Sequence, residues 1–245
     1  MTKKVALITG STRGIGYAIA LELAKNNYIP ILNSRSALTE HKSLLKELKK
    51  IEPKSSIYYF DVTDFEAVTK SVYQIIKDYG QISVLVNNAG ITNDKTVIKM
   101  TPQEWDVVIK TNLYGPFYLS KAVLPNMVEN SYGRIINISS IIGLVGNFGQ
   151  SNYSASKAGI LALTKSLSLE VAKYNITVNA ICPGFTATEM VKKIPQNILE
   201  ERIFPKLSIK RLARPEEIAK LANYLASEAA NYITGEHFNI NGGWW

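Results

Sequence analysis

The sequence predicts a doubly wound α/β fold, a Rossmann-like parallel sheet with helices on both faces, in one domain spanning residues 1–245. Three observations predict it. Short apolar runs alternate with segments of helical periodicity along the whole chain. Those runs are almost continuous in hydrophobicity, as strands covered on both faces must be. The first run ends in a glycine-rich turn that leads straight into a helix-period segment.

In chain order the predicted strands are Val5–Thr9, Tyr28–Asn33, Ile57–Phe60, Ile82–Asn87, Arg134–Ser139, Thr177–Ile181 and His237–Ile240. Between them, apolar residues three to four apart predict helices at Ile15–Asn26, Leu38–Ile51, Phe65–Tyr79, Pro102–Glu129, Ser151–Tyr174 and Pro215–Ala226. Right-handed crossovers place every loop that follows a strand along one sheet edge. No repeat or low-complexity linker interrupts the pattern. Residues 186–208 break the rhythm and read as an insertion over the site, a substrate lid.

The 245 residues are 46% hydrophobic and 20% charged, enough for one large core. Cys182 is the only cysteine, which excludes an intrachain disulfide and a cysteine cluster. With only His41 and His237 besides, no metal site is expected. The chain starts Met1-Thr2-Lys3-Lys4 and enters an apolar run at once, leaving no room for a signal peptide. No run approaches the ~20 apolar residues that cross a bilayer. The expectation is a cytoplasmic protein with no membrane contact. A net charge of +8 reads first as a lysine-rich solvated surface. Its second reading is attraction for a phosphate-bearing cofactor, coenzyme A or an acidic carrier protein. Nucleic acid is not an expected partner, because no basic block is interleaved with aromatics.

The glycine turn reads Gly10-Ser11-Thr12-Arg13-Gly14-Ile15-Gly16. Glycines allow a tight turn and close backbone approach, and the following helix start offers unpaired N–H groups to phosphate. The spacing is G-x-x-x-G-x-G, a variant of the dinucleotide fingerprint, and its strand–turn–helix setting favours dinucleotide binding over simple packing. An NAD site places an acid after the second strand to hold the ribose hydroxyls. Here Ser34 and Arg35 stand at that point, with Arg13 in the turn. A hydroxyl and two guanidiniums suit a 2′-phosphate, so the predicted cofactor is NADP(H). Asp61 and Val62 after the third strand, and Asn88, Ala89 and Gly90 after the fourth, complete the predicted cofactor edge. Each has an ordinary turn or cap reading; their shared position at strand ends favours binding.

Tyr153 and Lys157 are one helical turn apart, about 6 Å along the axis and on one face. A free phenol with a pKa near 10 is a poor acid–base catalyst, and a neighbouring ammonium lowers that value. Bringing it to about 7 takes about 4 kcal/mol of differential interaction. A lone Tyr-x-x-x-Lys is usually a surface pair; the surroundings argue otherwise here. Ser140, just past the fifth strand, is placed to donate to a developing oxyanion. Small residues, Ser154-Ala155-Ser156 and Ala158-Gly159, flank Lys157 and leave space for a cofactor. Asn112, inside a predicted helix, could carry a water chain from Lys157. Cys182 reads as a small buried residue, since no histidine lies near it in sequence to activate a thiol.

Taken together, the glycine turn, Asn87-Asn88-Ala89-Gly90, the Asn112/Ser140/Tyr153/Lys157 set and Pro183-Gly184 resemble the short-chain dehydrogenase/reductase family in order and spacing, over the entire chain. The resemblance implies hydride transfer to a carbonyl carbon with Tyr153 protonating the oxygen. It implies that Lys157 also binds the nicotinamide ribose, that Ser140 orients the carbonyl and that Asn112 completes a proton relay. Pro183, Gly184, Thr186 and Thr188 match positions on the nicotinamide and pyrophosphate side.

Within the family the chain most resembles reductases of 3-oxoacyl thioesters, through Asn88–Asp94, Gly149–Tyr153 and Asn241-Gly242-Gly243. Two branches compete, one acting on acetoacetyl-CoA and one on 3-oxoacyl carrier protein; sugar, polyol or steroid dehydrogenases and a non-catalytic NADPH-binding protein are further alternatives. Asp94, Lys99, Phe148 and Gln150 match residues lining the acetoacetyl and pantetheine region of the CoA branch. Asn147 and Phe185 depart from that branch's Gln and Tyr. Arginines common in the carrier branch are replaced by Ser131 and Tyr174, with Arg134 and Lys173 close enough to substitute. Trp244-Trp245, two indoles at the C-terminus, suggest burial against a neighbouring subunit, and the family resemblance implies a homotetramer.

Overall fold

Each apolar run predicted as a strand forms one, and all seven join a single parallel sheet. The computed structural model describes residues 3–189, 191, 194 and 196–244. Its strands are β1 (Lys4–Ile8), β2 (Tyr28–Ser34), β3 (Ser56–Tyr59), β4 (Val84–Asn87), β5 (Gly133–Ile138), β6 (Ile176–Pro183) and β7 (His237–Ile240), in the spatial order β3-β2-β1-β4-β5-β6-β7. Strand order reverses between β1 and β4, where Ala6 pairs with Val84 and Ile8 with Val86. That reversal opens the crevice in which doubly wound sheets bind ligands.

The helices are α1 (Gly14–Lys25), α2 (Glu40–Ile51), α3 (Phe65–Tyr79), α4 (Pro102–Ile109), α5 (Gly115–Glu129), α6 (Ile142–Val145), α7 (Ser151–Val171), α8 (Gln196–Ile198) and α9 (Pro215–Ala226). Their layering follows from strand alternation. Ala6 and Ile8 of β1 face a core shared with Ile19 and Leu23 of α1, Leu48 of α2 and Ile218 and Leu225 of α9. Val5 and Leu7 face the opposite core, built with Val72 of α3, Leu119 and Val123 of α5 and Leu167 of α7. Fully burying one such side chain contributes about 1.5–3 kcal/mol, so both layers are strongly held to the sheet.

The starts of α3 and α4 carry side-chain caps. Asp64 accepts from the Ala67 amide at 3.0 Å ahead of α3. Thr101 and Glu104 bond reciprocally in a capping box, with Pro102 in the first turn of α4. The predicted helix Pro102–Glu129 is not continuous. A π-turn at Lys110–Tyr114 divides it into α4 and α5 and adds a residue to one turn. The predicted Ser151–Tyr174 ends its α-helical part at Val171, with a 3₁₀ turn over Ala172–Tyr174.

One surface expectation fails. Arg134 was expected within reach of an acidic carrier, yet it is 0% exposed. Its guanidinium donates to the Gly133 carbonyl at 2.8 Å and the Asn175 carbonyl at 3.1 Å, and also to Asn231. Trp244 is half-buried against Phe185 of its own chain, ring centroids 5.2 Å apart, and its carbonyl accepts from Asn241. Trp245 lies outside the described residues, as do positions 190, 192, 193 and 195 of the predicted lid.

Glycines of the first turn are set by close approach. A Cβ on Gly16 would lie 2.5 Å from Asn88 Nδ2 and 2.8 Å from the Gly10 carbonyl oxygen. Gly16→Ala is therefore expected to destabilise the fold by about 1–3 kcal/mol through overpacking, read as a lower urea midpoint with an unchanged slope. An unchanged midpoint would remove the close-approach argument.

Candidate active site

Loops after β1, β2, β3, β4, β5 and β6 all emerge on the C-terminal edge of the sheet, and the predicted residues lie there. The glycine turn is pinned from three sides. Ser11 Oγ donates to the Ile8 carbonyl at 2.7 Å and accepts from the Asn33 amide at 3.0 Å. Asn33 Oδ1 accepts from the Gly10 amide at 3.2 Å, while its Nδ2 donates to the Phe60 carbonyl at 3.1 Å. Thr9 Oγ1 accepts from the amides of Asn88 and Ala89, both at 3.0 Å, and Asn88 Nδ2 donates back to the Thr9 and Gly10 carbonyls. Thr9 and Asn33 were not singled out from sequence; an interior Thr and Asn at strand ends carry no signal until their partners from other strands are known.

The turn has the features of an anion cradle. Gly10 and Gly14 take positive φ of 58° and 54°. A Cβ on Gly10 would meet Ala89 Cα at 2.9 Å, and one on Gly14 would meet the Thr188 methyl at 3.3 Å. Helix α1 has no side-chain cap bond at Arg13 and no acid in its first turn. Its leading N–H groups and dipole are therefore matched to phosphate. Arg13 and Arg35 are exposed, and no acid ends β2. Asp61 Oδ1 accepts from the Thr63 amide at 2.9 Å and hydroxyl at 2.8 Å, so the cap reading holds for that oxygen. Val62 is buried and its side chain packs where a Cβ on Gly115 would fall, at 3.0 Å. These residues fit a phosphate-bearing dinucleotide.

Tyr153 and Lys157 share the first turns of α7, with Lys157 Nζ 5.6 Å from the phenol ring centroid. Lys157 is 4% exposed and donates to the Ile138 carbonyl at 2.8 Å. The Tyr153 side chain lies close enough to Ser140 for the two to interact. Ser140 Oγ in turn accepts from the Ile142 amide at 3.2 Å. The expected lowering of the Tyr153 pKa does not occur in the protein by itself. Burial pushes the phenol up to about 12, against the contact with Ser140, and Asp94 acts in the same direction as burial. Burial also brings Lys157 down to about 8, opposed by nearby Cys182. Desolvation, a tertiary quantity, outweighs the local Tyr–Lys pairing. Cys182 is 0% exposed and its thiol is pushed up to about 11 by burial, which agrees with its reading as inert packing.

Asn112 sits at the centre of the π-turn and is 0% exposed. Its Oδ1 accepts from the Ile91 amide at 2.9 Å; its Nδ2 donates to the Ile91 carbonyl at 2.9 Å and Ser156 Oγ at 3.1 Å. Both N–H groups are committed, so the side chain anchors the loop after β4. Only a remaining oxygen lone pair or the backbone is left for a water chain.

The predicted substrate residues separate into two groups. Asp94, Gln150 and Asn147 are joined in series: Gln150 Nε2 donates to Asp94 Oδ2 at 2.8 Å, and Asn147 Nδ2 donates to Gln150 Oε1 at 2.9 Å. Phe148 beside them is 88% exposed, and Lys99 is exposed on the β4–α4 loop. Phe185 departs from this group, lining a cavity with Leu207, Ile209 and Ile240 and packing at a tilt against Trp244. Thr186 is buried and bridges to Ala213, closing the base of the excursion that contains the predicted lid. Gly184 packs on Asn241, 2.7 Å from Asn241 Cα to a would-be Cβ, and Pro183 ends β6. Among the described residues there is no cluster able to hold a metal ion, and no helix long and apolar enough to cross a membrane.

With this geometry the family comparison is decisive: the family model for short chain dehydrogenases matches residues 4–199. The chain belongs to the short-chain dehydrogenase family. Relatives of this dehydrogenase match it almost end to end. An acetoacetyl-CoA reductase of Shinella zoogloeoides is 46% identical over 240 residues, 98% of each chain. One of Rhizobium meliloti is 44% identical over 242 residues, again 98% of each. A 3-oxoacyl-[acyl-carrier-protein] reductase of Thermotoga maritima is 40% identical over 240 residues, 98% of this chain and 97% of its own.

The buried lysine makes a signed prediction. Its folded pKa of about 8 lies below the 10.5 of an ordinary lysine, so the unfolded chain binds the extra proton between those values. The burden is complete below pH 8, falls as pH rises and is gone above about 10.5. In the cofactor-free protein, Lys157→Met is expected to be more stable at pH 6–7, by about 1–3 kcal/mol after the loss of the Ile138 bond. Denaturant melts from pH 6 to 10.5 check it; a variant less stable at pH 6 than at pH 10, relative to wild type, contradicts it.

Proposed function

We propose that this dehydrogenase uses NADPH to reduce a 3-oxoacyl thioester to the 3-hydroxyacyl thioester, with acetoacetyl-CoA the leading substrate. The observation that carries the reading is Tyr153, in contact with Ser140 and above buried Lys157, beside the Asp94–Gln150–Asn147 series. Gly10–Gly16, Ser34, Arg35, Asp61, Val62, Asn88–Gly90, Pro183, Gly184, Thr186 and Thr188 would hold the cofactor. When bound, it supplies the hydride.

The remaining work belongs to the chain. Ser140 donates to the substrate oxygen and orients it. Tyr153, kept protonated by burial in the free protein, delivers its proton to that oxygen as negative charge develops. The Lys157 ammonium then steadies the phenolate left behind. Asn112 holds the β4 loop against these groups, and the relay returns a proton from solvent. The Asp94 series and exposed Phe148 meet the acetoacetyl and pantetheine portions, with Lys99 near the CoA phosphates. Residues 186–208 act as the lid.

The carrier-protein alternative is weakened by Arg134, whose complete burial removes one cation from the surface an acidic carrier would meet. The relatives of greatest identity quoted above are acetoacetyl-CoA reductases, which supports the same preference. Exposed Trp105, Val107, Tyr114 and Phe117 around α4 and α5 support assembly into a homotetramer. A single cysteine fits a cytoplasmic setting.

Comparing acetoacetyl-CoA with a carrier-linked 3-oxoacyl substrate at equal concentration tests the reading; inertness toward both removes it. Tyr153→Phe is expected to cut kcat about 10²–10⁴-fold while NADPH still binds, as judged by nucleotide fluorescence. Loss of binding instead would place Tyr153 in cofactor retention. Arg35→Glu is expected to lower the NADPH-over-NADH preference about 10–100-fold, since it replaces a charge-assisted phosphate contact with repulsion. A wild-type preference for NADH would overturn the cofactor assignment.

A further inference from the structure

Three side chains in a row, Gln150, Ser151 and Asn152, precede the phenol, and the last of them has no place in the chemistry described so far. Asn152 is 0% exposed, and a buried amide must find partners. It has three, on three different elements. Its Oδ1 accepts from the Tyr153 amide at 2.7 Å, one of the leading N–H groups of α7 that the helix itself cannot satisfy. Its Nδ2 donates to the Asn93 carbonyl at 2.9 Å and to the Glu104 carbonyl of α4 at 3.2 Å.

We propose that Asn152 is a positioning residue that, by tying Asn93 and α4 to the first turn of α7, keeps the Asp94 side of the pocket in register with the Tyr153 hydroxyl. Capping alone does not account for this side chain. An aspartate or serine would satisfy the Tyr153 amide equally well, and neither would bridge two carbonyls outside the helix. Asn93 adjoins Asp94, whose carboxylate accepts from Gln150. Residues 150 and 152 therefore grip residues 93 and 94 at two successive points. Asn112 grips the same loop at Ile91. Beyond these anchors Lys95 pairs with Glu104 and Ser151 Oγ meets Met100 Sδ at 3.9 Å, while Val97 and Ile98 are exposed. Of these residues, Asn152 alone joins the residue next to Asp94 to both α4 and the first turn of α7.

The inference rests on the reading of Tyr153 as proton donor to a 3-oxoacyl substrate. Asn152→Asp is the incisive change: it is isosteric, keeps an acceptor for the Tyr153 amide and turns both donors into an acceptor facing two carbonyls. In the full chain saturated with NADPH, kcat/KM for acetoacetyl-CoA is expected to fall about 10–100-fold with NADPH affinity unchanged, the scale of loss for a misplaced reacting group. Because Asn152 acts through Asp94, the N152D/D94A double variant should be no worse than D94A alone. Additive losses, or a fall in Tm with kcat/KM unmoved, would overturn the inference. If N152D does not fold, N152S, which keeps the cap and lacks the double bridge, carries the same cycle. Failure of wild type on every 3-oxo thioester would count against the functional reading, and the cycle would then use whichever ketone the enzyme reduces.

Discussion

The desolvated ammonium of Lys157 is the constraint around which the site is arranged. A lysine at 4% exposure is costly to keep charged, which is why burial alone brings its pKa to about 8. The neighbouring sequence follows from accommodating it. A Cβ on Gly143 would come within 2.7 Å of the Lys157 carbonyl carbon, so only glycine lets the turn at α6 pack across that stretch of α7. A Cβ on Gly90 would stand 3.5 Å from Nζ and 3.3 Å from Asn112 Oδ1, crowding the space between them. Ser139 Oγ donates to the Lys157 carbonyl at 2.8 Å and locks α7 to the end of β5. The free protein thus holds two groups displaced from their ordinary pKa values, the phenol upward and the ammonium downward.

Asn112 shows how an irregularity serves this arrangement. In an uninterrupted helix from Pro102 to Glu129, side chains would recur every 3.6 residues. The extra residue of the π-turn shifts that phase and lets Asn112 face Ile91 and Ser156, where its amide is satisfied three times over. Poorer backbone geometry is offset by a fully bonded buried side chain. Asn112 and Asn152 then act as a pair, one on each of two helices, clasping the same loop at positions two residues apart. Replacing either by an apolar side chain would take a hydrogen-bond partner from several part-buried backbone groups.

Much of this was legible in the sequence. Strand periodicity, the glycine turn and the Tyr153–Lys157 spacing are local signals, and Asn88-Ala89-Gly90 marks close packing against that turn. What was hidden depends on partners far away in the chain. Lys110-Thr111-Asn112-Leu113-Tyr114 has the composition of ordinary helix, so the π-turn leaves no local mark. Arg134 looks like a surface cation at a strand start; only the fold brings it to Asn231 and Glu228. That Phe185 lines its cavity beside Trp244, nearly sixty positions later, is equally invisible in the sequence. The upward push on Tyr153 in the cofactor-free chain is hidden for the same reason, since desolvation is set by every element that closes over the ring.

Cations at the start of the sheet are gathered into one network, whereas two beside the glycine turn stay exposed. At the N-terminal edge, Arg134 lies over the Tyr132 ring at 4.3 Å and Lys4 over the same ring at 3.9 Å, with Glu228 paired to both. Lys4 above all holds the Glu228 carboxyl down at about 2. Charge there is consumed within the chain, in an arrangement that orients strand starts more than it stabilises them. At the C-terminal edge, Arg13 and Arg35 are exposed beside an uncapped helix start with no acid in its first turn. Parallel strands make this division natural, because every loop that can hold a ligand emerges on one side. The net charge of +8 is therefore a poor guide by itself. More telling is where particular cations lie, and Arg13 and Arg35 are the two the proposed cofactor site would use.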